Sequence, residues 1–280
     1  MMRIFLLLVS LLASEALAQS SSDRIVVPLS DPARAAVLEV SLLSGGITVT
    51  GWDGKEVVIQ LVSGDHDPDE EMDVESDSDP DDRSHGLRRI PNLAAGLEID
   101  EADNVVSVSS ANHREANLAI QVPRTATIRL GTVNDGDIVV RDVAGEITAE
   151  NTNGDIRLQK VSGPTVVHAL NGQVDAELLR IDPKKSYSFS SLNGDIDVTL
   201  PADTRAELQI KTDNGEIYTD FDLQLGAKTS EIESGDDKAS RKGKKRHYGF
   251  ETSMVGTLNG GGTSMRFQTF NGSIYIRKAK

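Results

Sequence analysis

The sequence predicts an all-β fold built on a short repeat, and three observations predict it. Five glycines, Gly136, Gly145, Gly154, Gly163 and Gly172, follow one another at nine-residue intervals. The residues two and four places after each are mostly apolar, with polar residues between: Ile138 and Val140, Ile147 and Ala149, Ile156 and Leu158, Thr165 and Val167, Val174 and Ala176. A period of two is the signature of a strand with one buried face. Finally, no stretch beyond the first 18 residues sustains a 3.6-residue period over three turns.

Composition narrows the chemistry. Hydrophobic residues make up 38% of the 280-residue chain and aromatics only 4%, so a core must be built from Val, Ile, Leu and Ala. There is no cysteine. That excludes a disulfide scaffold, a thiol nucleophile, thiolate metal sites and a lipid-modified cysteine. Five scattered histidines make a multi-histidine metal site hard to assemble. A formal charge of −15 argues against nucleic acid as a partner. No cofactor, metal or catalytic residue is expected.

In chain order, residues 1–18 read as a signal peptide. Arg3 gives a minimal positive start, an apolar run follows, and Ala16-Leu17-Ala18 supplies the small residues that signal peptidase selects. The run is short of the roughly 20 residues a bilayer span needs, and no later segment approaches one, so no transmembrane segment is expected in the mature chain. Residues 19–36 form an N-terminal lead-in. The repeat domain is expected over 37–280, with an early copy of the pattern at Gly45, Ile47 and Val49.

Two insertions interrupt it. Residues 65–82 carry eleven acids and no Lys or Arg, so about 64–90 is expected as a disordered acidic loop. The run Asp65-x-Asp67-x-Asp69 begins like a calcium-binding EF-hand loop, but Glu70 and Ser76 stand where Gly and Glu are required. A basic loop is expected over about 228–247, where Lys238, Arg241, Lys242, Lys244, Lys245 and Arg246 cluster. A solvated insertion is the plain reading of both. Attraction of the basic loop to anionic polysaccharide, lipid headgroups or the acidic loop is the sharper one.

Every second glycine of the regular run follows a turn residue: Asp135-Gly136, Asn153-Gly154, Asn171-Gly172. Looser copies keep the pair at Asn193-Gly194, Asn214-Gly215 and Asn271-Gly272. Asn tolerates positive φ and Gly adopts it freely, so the dipeptide fixes a sharp corner. Positions two before the glycine, among them Val143, Val161, Leu170, Leu192 and Phe270, are often apolar too, and a continued period of two would turn them inward. Hairpins in a meander and stacked coils of a β-solenoid both fit this spacing.

The repeated Asn-Gly-[Asp/Glu/Gln/Ser]-[Ile/Val] units resemble the DUF4097 family of exported bacterial proteins, often labelled adhesins. The stretch LNGGGTSMRFQTFNGSIYIRK, residues 258–278, is the most specific part. It is similar to that family's closing pattern of a Gly-Gly element, an alternating strand and Thr-x-Asn-Gly-x-Ile. The resemblance covers roughly 37–280. It implies a β-solenoid, parallel β-helix-like, with stacked coils of about 18–22 residues, and it carries no catalytic residues over.

The residues still allow a search for chemistry. Asp137, Glu146, Asp155, Asp195 and Glu216 follow corner glycines and could form a carboxylate ladder, as a polysaccharide lyase or glycoside hydrolase would need. Pro164, Gln173 and Ser273 break that ladder, and an outward polar residue beside a turn is the default. Asn153, Asn171, Asn193, Asn214 and Asn271 could form a structural ladder. Trp52 could cap the first coil or stack on a sugar. No Gly-x-Ser-x-Gly elbow or dinucleotide glycine fingerprint occurs in a suitable context, and His168 reads as a surface strand residue. The expected function is a non-enzymatic, exported, adhesin-like binding protein of the cell envelope. Its partner would be an envelope protein or a surface glycan, met in the periplasm, at the cell surface or outside the cell. The alternative is a carbohydrate-active enzyme on the carboxylate ladder.

Overall fold

The structure, a computed structural model, describes residues 24–62, 96–110, 115–226, 229–234 and 248–280, with backbone alone for 229–234 and 248–253. The expected signal peptide, the acidic insertion and residues 235–247 of the basic loop lie outside the described residues. All secondary structure among the described residues is strand. None of it is a helix long and apolar enough to cross a membrane.

The strands are β1 (Arg24–Pro28), β2 (Val37–Ser44), β3 (Ile47–Trp52), β4 (Glu56–Val62), β5 (Leu97–Ala102), β6 (Val105–Ser110), β7 (Asn117–Pro123), β8 (Thr127–Asn134), β9 (Ile138–Arg141), β10 (Ile147–Asn153) and β11 (Ile156–Val161). They continue as β12 (Thr165–Asn171), β13 (Val174–Leu178), β14 (Tyr187–Asn193), β15 (Ile196–Leu200), β16 (Ala206–Asn214), β17 (Ile217–Thr219), β18 (Leu223–Leu225), β19 (Thr229–Ser234), β20 (Tyr248–Leu258), β21 (Thr263–Asn271) and β22 (Ile274–Lys278). They form two sheets, ordered β1-β4-β7-β3-β9-β11-β13-β15-β22-β17 and β18-β20-β16-β21-β14-β12-β10-β8-β2-β6-β5, with β19 paired to β20.

The fold is a two-sheeted β-solenoid. Each coil is one strand of the second sheet, a corner, and one strand of the first. In chain order the eight described coils are β2–β3, β6–β7, β8–β9, β10–β11, β12–β13, β14–β15, β16–β17 and β21–β22. Neighbouring coils pair in parallel and in register, so like residues stack. Leu118, Ile47, Ile138, Ile156, Val174, Ile196 and Ile274 form one such inward column, and all are buried. Each fully buried side chain of this size is worth about 1.5–3 kcal/mol.

The spatial order of the coils departs from chain order at both ends. Along the axis it runs second, first, third, fourth, fifth, sixth, eighth, seventh. The last coil is therefore interior. Strand β21 lies between β14 and β16, and Phe267 stacks on Phe189 at 5.3 Å. Antiparallel strands close the ends. Strands β1 and β4 add to β7, β5 adds to β6, and β20 with β18 and β19 extends β16. Residues 229–234, the opening of the expected basic loop, are thus a strand, and the stack is parallel only between its caps.

Trp52 does not cap the solenoid, because the first coil is second in the stack. Its indole Nε1 donates to the Glu56 carbonyl at 3.2 Å and its ring covers Gly54.

Candidate functional site

The corners explain the glycine repeat. A Cβ on Gly154 would lie 2.2 Å from the Gly136 carbonyl oxygen, and one on Gly172 would lie 2.0 Å from that of Gly154. Gly194, Gly272 and Gly215 continue the same column at 1.9–2.2 Å. Gly145 and Gly163 form a second column at the opposite turn, where a Cβ on Gly163 would lie only 1.7 Å from the Gly145 carbonyl oxygen. Close stacking of backbone on backbone, more than turn conformation, selects glycine here.

The asparagines beside them form a chain of amide hydrogen bonds. Nδ2 of Asn171 donates to Oδ1 of Asn153 at 3.0 Å, Asn193 to Asn171 at 2.8 Å, Asn271 to Asn193 at 2.7 Å, and Asn214 to Asn271 at 2.9 Å. Behind this exposed ladder runs a polar row, buried except at the half-buried Thr212, that the sequence reading missed. Thr132, Asn151, Ser191, Thr269 and Thr212 each donate to the corner glycine carbonyl of the coil below, at 2.8–3.0 Å. Their signal was a small polar residue three or four places before the glycine, hidden because the inward positions were expected to be apolar.

The acids after the corner are engaged with the scaffold. Asp137 accepts the Asp155 N–H at 2.9 Å, Asp155 accepts the Gln173 N–H at 2.8 Å, and Asp195 accepts the Ser273 N–H at 2.7 Å. Arg157 bridges Asp137 and Asp155 at 2.5 Å each. The Asp137 hydrogen bond and the surrounding carboxylates raise the Arg157 pKa further. Glu216 accepts from the Tyr218 hydroxyl, which raises the Tyr218 pKa, and the Tyr218 ring stacks on Tyr275 at 5.0 Å. His168 is exposed, with Nδ1 2.9 Å from the Ser190 hydroxyl. Among the described residues no group of three or more acids or histidines is placed to hold a metal.

The outer face of the second sheet differs from the sequence expectation. Leu170, Leu192 and Phe270 point outward, because the period of two is broken at the corner itself. Register places Leu43, Val133, Thr152, Leu170, Leu192 and Phe270 in one row across successive coils. Val133 is 42% exposed, Leu192 40% and Phe270 47%. Val143 and Val161, at the other turn, are buried as expected.

The model of the family described as Toastrack DUF4097 matches residues 110–253, just over half of the chain. The chain belongs to the Toastrack DUF4097 family. The Toastrack match is narrower than the resemblance over 37–280, and it leaves out the 258–278 stretch. No curated protein matches the sequence significantly. A solved structure, described as a putative cell adhesion protein from Clostridium sporogenes ATCC 15579, is similar to 91% of this Toastrack chain and covers 99% of its own. Its identity is 10% and its TM-score 0.36; a likeness at that level carries no functional information.

Proposed function

We propose that this Toastrack protein is a non-enzymatic, adhesin-like binding protein, exported to the cell envelope, that uses the outer faces of its solenoid as contact surface. The exposed apolar row on the second sheet carries the reading. It spans six neighbouring strands, five of which contribute an apolar residue while β10 contributes Thr152, about 24 Å at roughly 4.8 Å per strand. Scattered apolar residues are ordinary on a protein surface, whereas residues aligned in one row and rimmed by polar side chains, as Leu170, Leu192 and Phe270 are on adjacent strands, mark a contact site. Here the rim is the asparagine ladder on one side and Glu150, His168, Ser190 and Gln268 on the other. The enzymatic alternative needs free, paired carboxylates, while Asp137, Asp155 and Asp195 each accept a backbone N–H.

The test is sedimentation of the purified chain with envelopes isolated from the host, alongside protease treatment of intact host cells. Wild type is expected to co-sediment, and a Leu192→Ser/Phe270→Ser double variant, which leaves every buried residue in place, to lose most of that binding. Equal binding by both would remove the row from the reading. Protection of the native protein in intact cells, with release on opening the outer layer, would place it in the periplasm and end the adhesive version.

A further inference from the structure

The outer face of the second sheet has a groove of about 480 Å³ where β6, β2, β8 and β10 run side by side. Its floor is Gly131, with Ser41 and Ser109 beside it in the same row and Glu150 closing the row on the other side. The Arg129–Glu39 ion pair, 2.6 Å, forms the wall one step earlier along the strands.

Gly131 is the unexplained feature. A glycine inside a strand weakens it and often marks a place where something approaches the backbone closely. The other glycines inside side-chain-described strands have steric reasons. A Cβ on Gly51 would lie 2.1 Å from the Asp142 carbonyl oxygen, and one on Gly256 would lie 2.6 Å from Leu223. A Cβ on Gly131 would meet nothing nearer than 4.0 Å. The fold does not require glycine there, and its effect is to keep the groove open.

We infer that this groove is a binding subsite for a neutral, hydroxyl-rich sugar unit. The inference rests on the binding-protein reading above and names the ligand class for it. Carboxylates accept from vicinal hydroxyls, a guanidinium donates to ring and hydroxyl oxygens, and serine hydroxyls do both. Glu39 and Glu150 outnumber Arg129, and the row continues to Glu98 on β5. The local charge is therefore negative, which disfavours uronates and other anionic sugars. The small floor admits a ring flat against the backbone, which a β-branched residue at 131 would prevent.

Calorimetric titration of the full chain with cellotetraose, maltotetraose, mannotetraose and chitotetraose, and with tetragalacturonate, tests this. At least one neutral tetramer is expected to bind, and tetragalacturonate is not. Gly131→Val is expected to lower that affinity by about tenfold or more, the scale for steric exclusion at a pocket floor, with an unchanged circular dichroism spectrum and an equal or higher Tm. Glu150→Gln should weaken binding without touching the floor. Absence of binding by every neutral tetramer, preference for tetragalacturonate, or unchanged binding by a folded Gly131→Val variant would each overturn the inference. If wild type still co-sediments with envelopes in those cases, the binding-protein reading stands and the sugar subsite alone falls. If co-sedimentation is lost only in the Leu192→Ser/Phe270→Ser variant while the tetramer still binds, the two surfaces are separate and the subsite stands.

Discussion

Along the polar row behind the corner, five of the eight described coils each place one side-chain donor on a corner glycine carbonyl. Thr132, Asn151, Ser191, Thr269 and Thr212 donate to the carbonyls of the stacked corner glycines. The first and fifth coils are exceptions: Leu42 and Ala169 stand at that position, and Ala169 has no donor to offer the Gly154 carbonyl. A neutral hydrogen bond of this kind contributes about 0.5–1.5 kcal/mol, and a stranded buried acceptor costs about 1–3 kcal/mol. Thr269→Val should therefore destabilise by about 1–3 kcal/mol, and Ala169→Ser should stabilise by up to about 1 kcal/mol, both read from urea midpoints at constant slope. Opposite signs for these two changes are the diagnostic outcome. Two changes of the same sign would mean that volume, not hydrogen bonding, controls the row. The row was illegible in the sequence because Thr, Ser and Asn three places before a glycine look like ordinary turn residues. Only their inward direction gives them this role.

At the scale of the element, the telling feature is the last coil. Strands β21 and β22 sit between the sixth and seventh coils, and Met265, Phe267, Ile274 and Ile276 are fully buried there. Four such side chains contribute roughly 6–12 kcal/mol at the usual 1.5–3 each, against a typical net stability of about 5–15 kcal/mol. Deleting 263–280 should consequently do more than shorten the solenoid. It should strip the seventh coil and the β18 cap of their seat, so that amide exchange protection is lost over 206–225 as well, while the third to fifth coils stay protected. Hydrogen exchange with mass spectrometry reads this directly. Retained protection over 206–219 would mean that the seventh coil re-docks on the sixth, which the shared Asn-Gly corners make sterically conceivable. Sequence repeats reveal which coils are alike, and for that same reason they cannot reveal which neighbour each one chooses.

For the whole molecule, stability depends on one continuous core along the stack, so a titratable group inside it reports on global unfolding. Tyr187 is 1% exposed and its hydroxyl accepts the Asp182 N–H at 2.9 Å. Burial, partly offset by that bond, raises its pKa above the ordinary value near 10. The folded state thus holds the proton more tightly than the unfolded chain does. The stabilisation is full below about pH 10 and is lost as pH rises from there through the folded-state pKa. Tyr187→Phe removes that ionisation, so its stability should fall less steeply than that of wild type between about pH 10 and 12. A parallel decline in both, measured by chemical denaturation, would show that Tyr187 does not couple to unfolding. Tyr218 shifts the same way but is exposed, and solvent screening keeps its share small.

The sequence by itself determined the strand period, the corner positions, the glycine columns and the family, since each depends on residue type at fixed local spacing. The Asn-Gly dipeptides were readable as corners because Asn and Gly favour turns locally, whereas the close approach of a neighbouring coil's backbone, which selects the glycine, is a tertiary demand. Tertiary structure alone decided the coil order, the antiparallel caps, the outward turn of Leu170, Leu192 and Phe270, and the open floor at Gly131. These depend on which strand lies beside which and on the parity change at each corner. A one-dimensional pattern with nearly identical repeats contains no term that distinguishes one stacking partner from another. The packed core supplies that term, by fitting Phe267 between Phe189 and Ile210 and by closing each end with a strand running the other way.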